Sequence, residues 1–161
     1  MTISVGDTLP DATFFEKTAD GLAKVTTAEV FGGRKIALLA VPGAFTGTCH
    51  LKHLPPYVAL ADEIKAKGID EIVCITVNDP HVALAWAESL GAVGRVRILA
   101  DAEAEFTKAI GMAFDGSAGG LATRSKRYSA LVEDGVVTAF NLEESPGQVE
   151  VSGAEDLLKA L

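Results

Sequence analysis

Short apolar runs alternate with amphipathic stretches along the middle of the chain. Lys35–Val41 (KIALLAV) and Glu71–Val77 (EIVCITV) are continuous apolar runs, the pattern of strands buried on both faces. Between them, Pro42–Thr48 (PGAFTGT) breaks the first run. From Cys49 to about Lys67 the apolar positions Leu54, Tyr57, Val58, Ala61 and Ile64 recur at helical spacing, with Gly68 as C-cap. Pro55 and Pro56 fall inside that stretch and should kink the helix or interrupt its first turns. A second helix is punctuated by Asp79 as N-cap, Pro80 at the first helical position and Gly91 at the end. Val82, Ala85, Trp86 and Leu90 share one of its faces, which places Trp86 in the core. Arg95–Ala100 reads as a third strand, and Asp101 caps a short helix ending near Gly111. Tyr128–Glu133 and Val136–Asn141 flank Asp134-Gly135, a two-residue hairpin signal. Ser152 and Glu155 form a capping box ahead of a last helix, Ala154–Leu161.

Two strand–helix units with short connections imply a parallel sheet, to which the late hairpin adds antiparallel strands. The expected class is α/β, a mixed central β-sheet flanked by helices. That is the thioredoxin-like arrangement, although periodicity alone does not single it out. No linker, repeat or low-complexity tract interrupts the chain, and Gly116–Gly120 (GSAGG) reads as a loop, so one domain spanning 1–161 is expected.

Composition narrows the field of partners. A formal net charge of −8 over 161 residues disfavours nucleic acid and anionic membranes. The chain has no run of apolar residues long enough to span a bilayer, and its opening lacks a basic segment followed by an apolar one. Two cysteines, Cys49 and Cys74, are too few for a disulfide scaffold and read as thiols in a soluble, cytoplasmic protein.

Cys49 carries the chemistry. It follows a Pro/Gly loop that leaves a buried strand, and it opens a helix, so backbone N–H groups and the helix dipole favour thiolate over thiol. The plain alternative is a small buried hydrophobe. The octapeptide Pro42-Gly43-Ala44-Phe45-Thr46-Gly47-Thr48-Cys49 decides between them, because it resembles the active-site signature of the peroxiredoxins, in the PGAFTPTC form of the type II (peroxiredoxin 5) subfamily. The segments VGDTLPDATFF, GIDEIVCITVNDP, TRSKRYSA and SGAEDLLKAL extend the likeness along most of the chain. One position departs from the pattern: Gly47 stands where the subfamily has a second proline.

The resemblance implies a thioredoxin-like fold and a thiol-dependent peroxidase without a cofactor or metal. Cys49 would be the peroxidatic nucleophile, passing through a sulfenic acid. Thr46 would hydrogen-bond thiolate and peroxide, Pro42 would shield the sulfur, and Gly43, Phe45 and Thr48 would line the pocket. Arg124 matches the subfamily's active-site arginine, against the alternative of a solvated charge clustered with Lys126 and Arg127. Arg127 is left open, with a structural pair as its other reading. Cys74, in mid-strand, is either inert packing or a resolving cysteine, the latter requiring local unfolding to bring the sulfurs together.

The substrates implied are hydrogen peroxide and alkyl hydroperoxides, the reductants glutathione/glutaredoxin or thioredoxin, the assembly a homodimer, and the setting antioxidant defence. The chain stops at Leu161 directly after its last helix, so no fused glutaredoxin module is expected. Two other classes compete: a peroxide-responsive redox sensor or partner-binding protein with little turnover, and a metal carrier using Cys49 and His53. His53 lies four residues after Cys49, a spacing open to a metal or a nucleophile pair, but two ligands fall short of a closed zinc site. His50 is assigned to the pocket or a docking surface, and His81 to a helix first turn.

Overall fold

In the computed structural model, which describes residues 2–161, the two apolar runs lie side by side at the centre of a seven-stranded sheet. In chain order the elements are β1 (Thr13–Thr18), β2 (Gly21–Thr26), α1 (Thr27–Phe31), β3 (Lys35–Val41), a π-helical turn (Cys49–His53), α2 (Leu54–Ala59), α3 (Ala61–Ala66) and β4 (Glu71–Thr76). They continue with α4 (Pro80–Ser89), β5 (Arg97–Ala100), α5 (Glu105–Ala109), β6 (Ala113–Asp115), a 3-10 turn (Ser117–Gly119), β7 (Thr123–Ser125), β8 (Tyr128–Glu133), β9 (Val136–Leu142) and α6 (Ala154–Lys159). The large sheet runs β2-β1-β5-β4-β3-β8-β9, and β6 with β7 forms a separate hairpin.

β3 and β4 are parallel, β4 and β5 are parallel, and β8 runs antiparallel to β3, so the sheet is mixed as expected. Alternation along the central strands feeds two apolar layers. Leu39, Val41, Ile72 and Cys74 face one layer with Tyr57 and Trp86, whereas Leu38, Ala40, Val73 and Ile75 face another with Phe14, Phe31 and Phe106. Both faces are buried, which is why these strands carry no polar alternation. Asp134 and Gly135 both have positive φ (48° and 76°), the geometry required by the tight turn between β8 and β9. Asp79 accepts the His81 and Val82 N–H groups and starts α4 at Pro80.

Several elements differ from the sequence reading. The helix expected from Cys49 to about Lys67 is three pieces, with a joint at Leu60. Pro55 supplies no N–H and its ring crowds the carbonyl four residues back, so the turn before it widens: the Leu54 N–H bonds Cys49 O. The third strand is two residues shorter than expected, and the β1–β2 hairpin had no assignment at all. The capping box at Ser152 and Glu155 does not form. The N-cap of α6 is Gly153, and the Ser152 hydroxyl instead donates to the Glu143 carboxylate, a stronger acceptor. Asp101 caps α5 from a distance, accepting Phe106 N and Thr107 N while Ala104 takes the left-handed conformation at the helix start. Among the described residues, no helix is long and apolar enough to cross a membrane.

Candidate active site

β3 runs out at Val41, and the Pro42–Thr48 loop turns back over the sheet edge to deliver Cys49. Asn78, just beyond β4, holds this loop by accepting the Ala44 N–H (2.8 Å). Helical backbone begins at Gly47, with the His50 N–H bonded to Thr46 O at 3.0 Å, so Cys49 lies in the first turn. Its sulfur is nearly enclosed, at 1% exposure. Thr46 Oγ1 stands 3.0 Å from Cys49 Sγ and 2.7 Å from Gly43 O. A hydroxyl has one proton to donate, so it turns toward whichever acceptor is more electron-rich. It donates to a thiolate and can accept from a thiol.

The cation that reaches the sulfur is Arg127. It sits immediately before β8, where Tyr128 pairs with Ala40 near the end of β3, and this register carries its side chain under Cys49. Its guanidinium is buried at 1% exposure, with Nη2 donating to Cys49 Sγ at 3.0 Å, Nη1 to His53 Nδ1 at 2.7 Å and Nε to Pro146 O at 3.0 Å. Among the described residues, no carboxylate forms an ion pair with it. A buried cation without a counter-charge is costly, and the sulfur is the group in hydrogen-bond contact that can supply one.

Arginine cannot accept a hydrogen bond, so His53 Nδ1 must be the acceptor and Nε2 must carry the proton, donated to Ser152 O at 3.0 Å. Burial, and next the charge of Arg127, lower His53 to about 4, so the imidazole is neutral at pH 7. Tyr57 donates its hydroxyl to the same Ser152 carbonyl (2.7 Å). With both ring nitrogens engaged, His53 has neither free for a metal shared with Cys49.

Arg124, expected on the thiolate, does not touch it. From β7 its Nη1 donates to Pro42 O (3.0 Å) and its Nε to Leu121 O (2.9 Å). It backs the catalytic loop at Gly43, where a Cβ would collide with Nη1. The two arginines are three positions apart, and they fall on different strand pairings: Arg124 lies in β7 opposite Phe114, whereas Arg127 immediately precedes the β8 pairing with β3. Phe45 has φ of 60°, is half exposed and stacks on His50 (5.7 Å between centroids); His50 Nδ1 in turn accepts the buried Trp86 indole N–H. Thr48, expected to line the pocket, donates its hydroxyl to Gly147 O (3.1 Å).

Cys74 lies opposite Leu39 and Ile98 in the middle of β4 and is wholly buried; neither cysteine is in a disulfide. Burial, and then the neighbouring charge of Cys49, push its thiol well above the usual range. In this conformation its thiol is shut away from solvent and disfavoured as a thiolate.

Gly47 has no positive φ, and no atom lies within 4 Å of where its Cβ would be. It stands at the first helical position, where proline is favoured. Gly47→Pro should therefore stabilise the protein by about 0.5–1 kcal/mol through the unfolded state. Urea denaturation and stopped-flow peroxide oxidation together check this; a peroxide rate more than about threefold different from the parent's would assign Gly47 a part in setting the loop.

The Redoxin family profile matches residues 4–158. Peroxiredoxin-2E-2, chloroplastic, of Oryza sativa subsp. japonica is 50% identical over 165 residues, covering 99% of this chain and 73% of that protein. Peroxiredoxin-2C of Arabidopsis thaliana is 44% identical, covering 99% of this chain and 98% of its own length. The crystal structure of reduced Prx3 from Vibrio vulnificus in complex with hydrogen peroxide superposes with a TM-score of 0.94 at 46% identity, covering 99% of both chains.

Proposed function

Since the chain belongs to the Redoxin family and, within it, to the type II peroxiredoxins, we propose that it reduces hydroperoxides as a thiol peroxidase with Cys49 as its nucleophile. The observation that carries this reading is the sulfur of Cys49 facing the Thr46 hydroxyl and a buried, carboxylate-free Arg127 fork, each at 3.0 Å.

The chemistry follows from those contacts. The Cys49 thiolate attacks one peroxide oxygen; an S–O bond forms, the O–O bond breaks, and the leaving hydroxide or alkoxide takes a proton from solvent to become water or alcohol. Negative charge passes from sulfur to the leaving oxygen, and the guanidinium beside both stabilises that transfer without reorganising. Thr46 directs its hydrogen toward the charge, and the Pro42 loop keeps water from the sulfenic acid. A thiol then attacks the sulfenic sulfur, releasing water as a mixed disulfide forms. A second thiol resolves it, so two thiols become one disulfide per peroxide consumed.

Glutathione with glutaredoxin, or thioredoxin, is the proposed reductant, with alkyl hydroperoxides accepted beside hydrogen peroxide. A homodimer formed through the loops around the site, and a part in antioxidant defence and redox homeostasis, complete the reading. Two unpaired thiols fit a reducing compartment such as the cytoplasm.

The test is peroxide consumption by wild type and Cys49→Ser with both reductant systems in parallel. Turnover that disappears in the variant supports the peroxidase and identifies its electron donor. Oxidation of Cys49 without turnover under either system would replace the enzyme by a redox sensor. Cys74→Ser should keep turnover with external thiols within about twofold, because a mid-strand thiol fixed by two neighbouring strands cannot meet Cys49 without unpairing the sheet. Steady-state turnover of that variant below a tenth of the parent's would make Cys74 a resolving residue.

A further inference from the structure

The segment Glu143–Ser152 joins β9 to α6 without regular structure, yet it meets the site at three carbonyls. Pro146 O accepts Arg127 Nε, Gly147 O accepts Thr48 Oγ1, and Ser152 O accepts both His53 Nε2 and the Tyr57 hydroxyl. Its last three residues converge on Glu143. That carboxylate is buried, and among the described residues no cation forms an ion pair with it. It accepts the N–H groups of Glu150 (3.0 Å), Val151 (2.9 Å) and Ser152 (2.7 Å), and the Ser152 hydroxyl (2.6 Å). Burial alone would raise Glu143; these donors outweigh it and hold the carboxyl below its ordinary range, so it is ionised at pH 7. Its own N–H donates to Arg127 O at 3.0 Å, which joins the two residues through the backbone as well.

We propose that Glu143 is a positioning residue for peroxide reduction: its carboxylate folds the 143–152 loop, whose carbonyls at Pro146 and Ser152 fix the plane of the Arg127 guanidinium against Cys49 Sγ. The proposal rests on the peroxidase reading above. A guanidinium presents its N–H groups in a rigid fork, so fixing two corners aims the third. Here Nε is fixed by the loop directly and Nη1 through His53, which the loop holds by Ser152 O. Only Nη2 is left for the reacting atoms. Glu143 gathers the N–H groups at the Ser152 end and so closes the loop on itself, with the turn that presents Pro146 O held inside it by Ser145.

The test uses the full chain with Glu143→Gln, which keeps the volume but loses the charge and half of the acceptor capacity. Oxidation of Cys49 by hydrogen peroxide is measured in the wild-type background and again with Arg127→Leu. Misaiming the fork should slow the first by about tenfold. A residue that acts through Arg127 should change the second by less than about twofold. Independently of activity, the Arg127 Nε–H should exchange slowly with solvent by 15N NMR in the wild type and quickly in Glu143→Gln.

Equal losses in both backgrounds, or an unchanged rate with a retained Nε–H signal, would overturn the proposal. If Glu143→Gln does not fold, Ser152→Ala removes one donor to the same carboxylate and is read in the same two backgrounds, with a loss confined to the Arg127 background expected. A wild type that consumes no peroxide would refute the peroxidase reading, while the exchange measurement still decides whether Glu143 holds Arg127.

Discussion

Arg127→Leu should lower the second-order rate constant for peroxide by about 10²–10³-fold, the usual effect of removing a preorganised donor from a developing negative charge. Arg124→Leu should cost less than about tenfold, because it removes support from the Pro42 carbonyl and not from the sulfur. Arg127→Lys should fall near the leucine variant. A lysine brings a point charge but not a fork, and it cannot satisfy Pro146 O, His53 Nδ1 and the sulfur together. Stopped-flow oxidation monitored by Trp86 fluorescence measures all three, since the indole N–H bonds His50, next to Cys49. A leucine variant within tenfold of the parent would remove Arg127 from the chemistry.

The second large effect is on stability in acid. His53 falls from 6.5 to about 4 on folding, chiefly because it is buried and next because Arg127 stands beside it. The unfolded chain therefore binds a proton between these values that the folded chain refuses. The contribution is fully present above pH 6.5 and drains away as pH falls to about 4. At about 1.4 kcal/mol per unit, the loss on acidification is about 3–4 kcal/mol, a large change against the 5–15 kcal/mol that holds a domain folded. Urea unfolding across pH 4–7 measures it. His53→Gln should lose most of that slope, and parallel curves for the two proteins would show that His53 is not its source.

The sequence was most legible where one local rule sufficed. β3, β4, the Asp134-Gly135 turn and the Asp79–Pro80 helix start all follow from composition and capping within a few residues. The octapeptide placed Thr46 and Cys49 for the same reason, since loop and helix start are contiguous. That Arg127, not Arg124, meets the sulfur was not legible, because it requires knowing that Tyr128 pairs with Ala40, a contact 88 positions apart in sequence. The pair Cys49 and His53 falls short of a closed metal site, and the spacing does not reveal the role of His53, because its partners, Arg127 and Ser152, lie 74 and 99 positions away. Ser152 was read as a helix cap because its neighbours in sequence suggested one, whereas its hydroxyl found Glu143. Glu143 gave no signal at all: an acidic pair, Glu143-Glu144, after a strand looks like solvent-facing charge until the loop closes on one of its members.

The enclosure of Cys49 sets a clock for the enzyme. Two oxygen atoms need little room beside the sulfur, but a thiol presented by another protein needs the oxidised sulfur out in the open. With 1% of Cys49 exposed, and Arg127 bridging it to His53 across the π-helical turn, docking of such a thiol is expected to require release of that turn. The frequency of release should then cap turnover. Adding reductant beyond that point should buy no further speed, and the joint at Leu60 and the prolines before it become the parts that keep time.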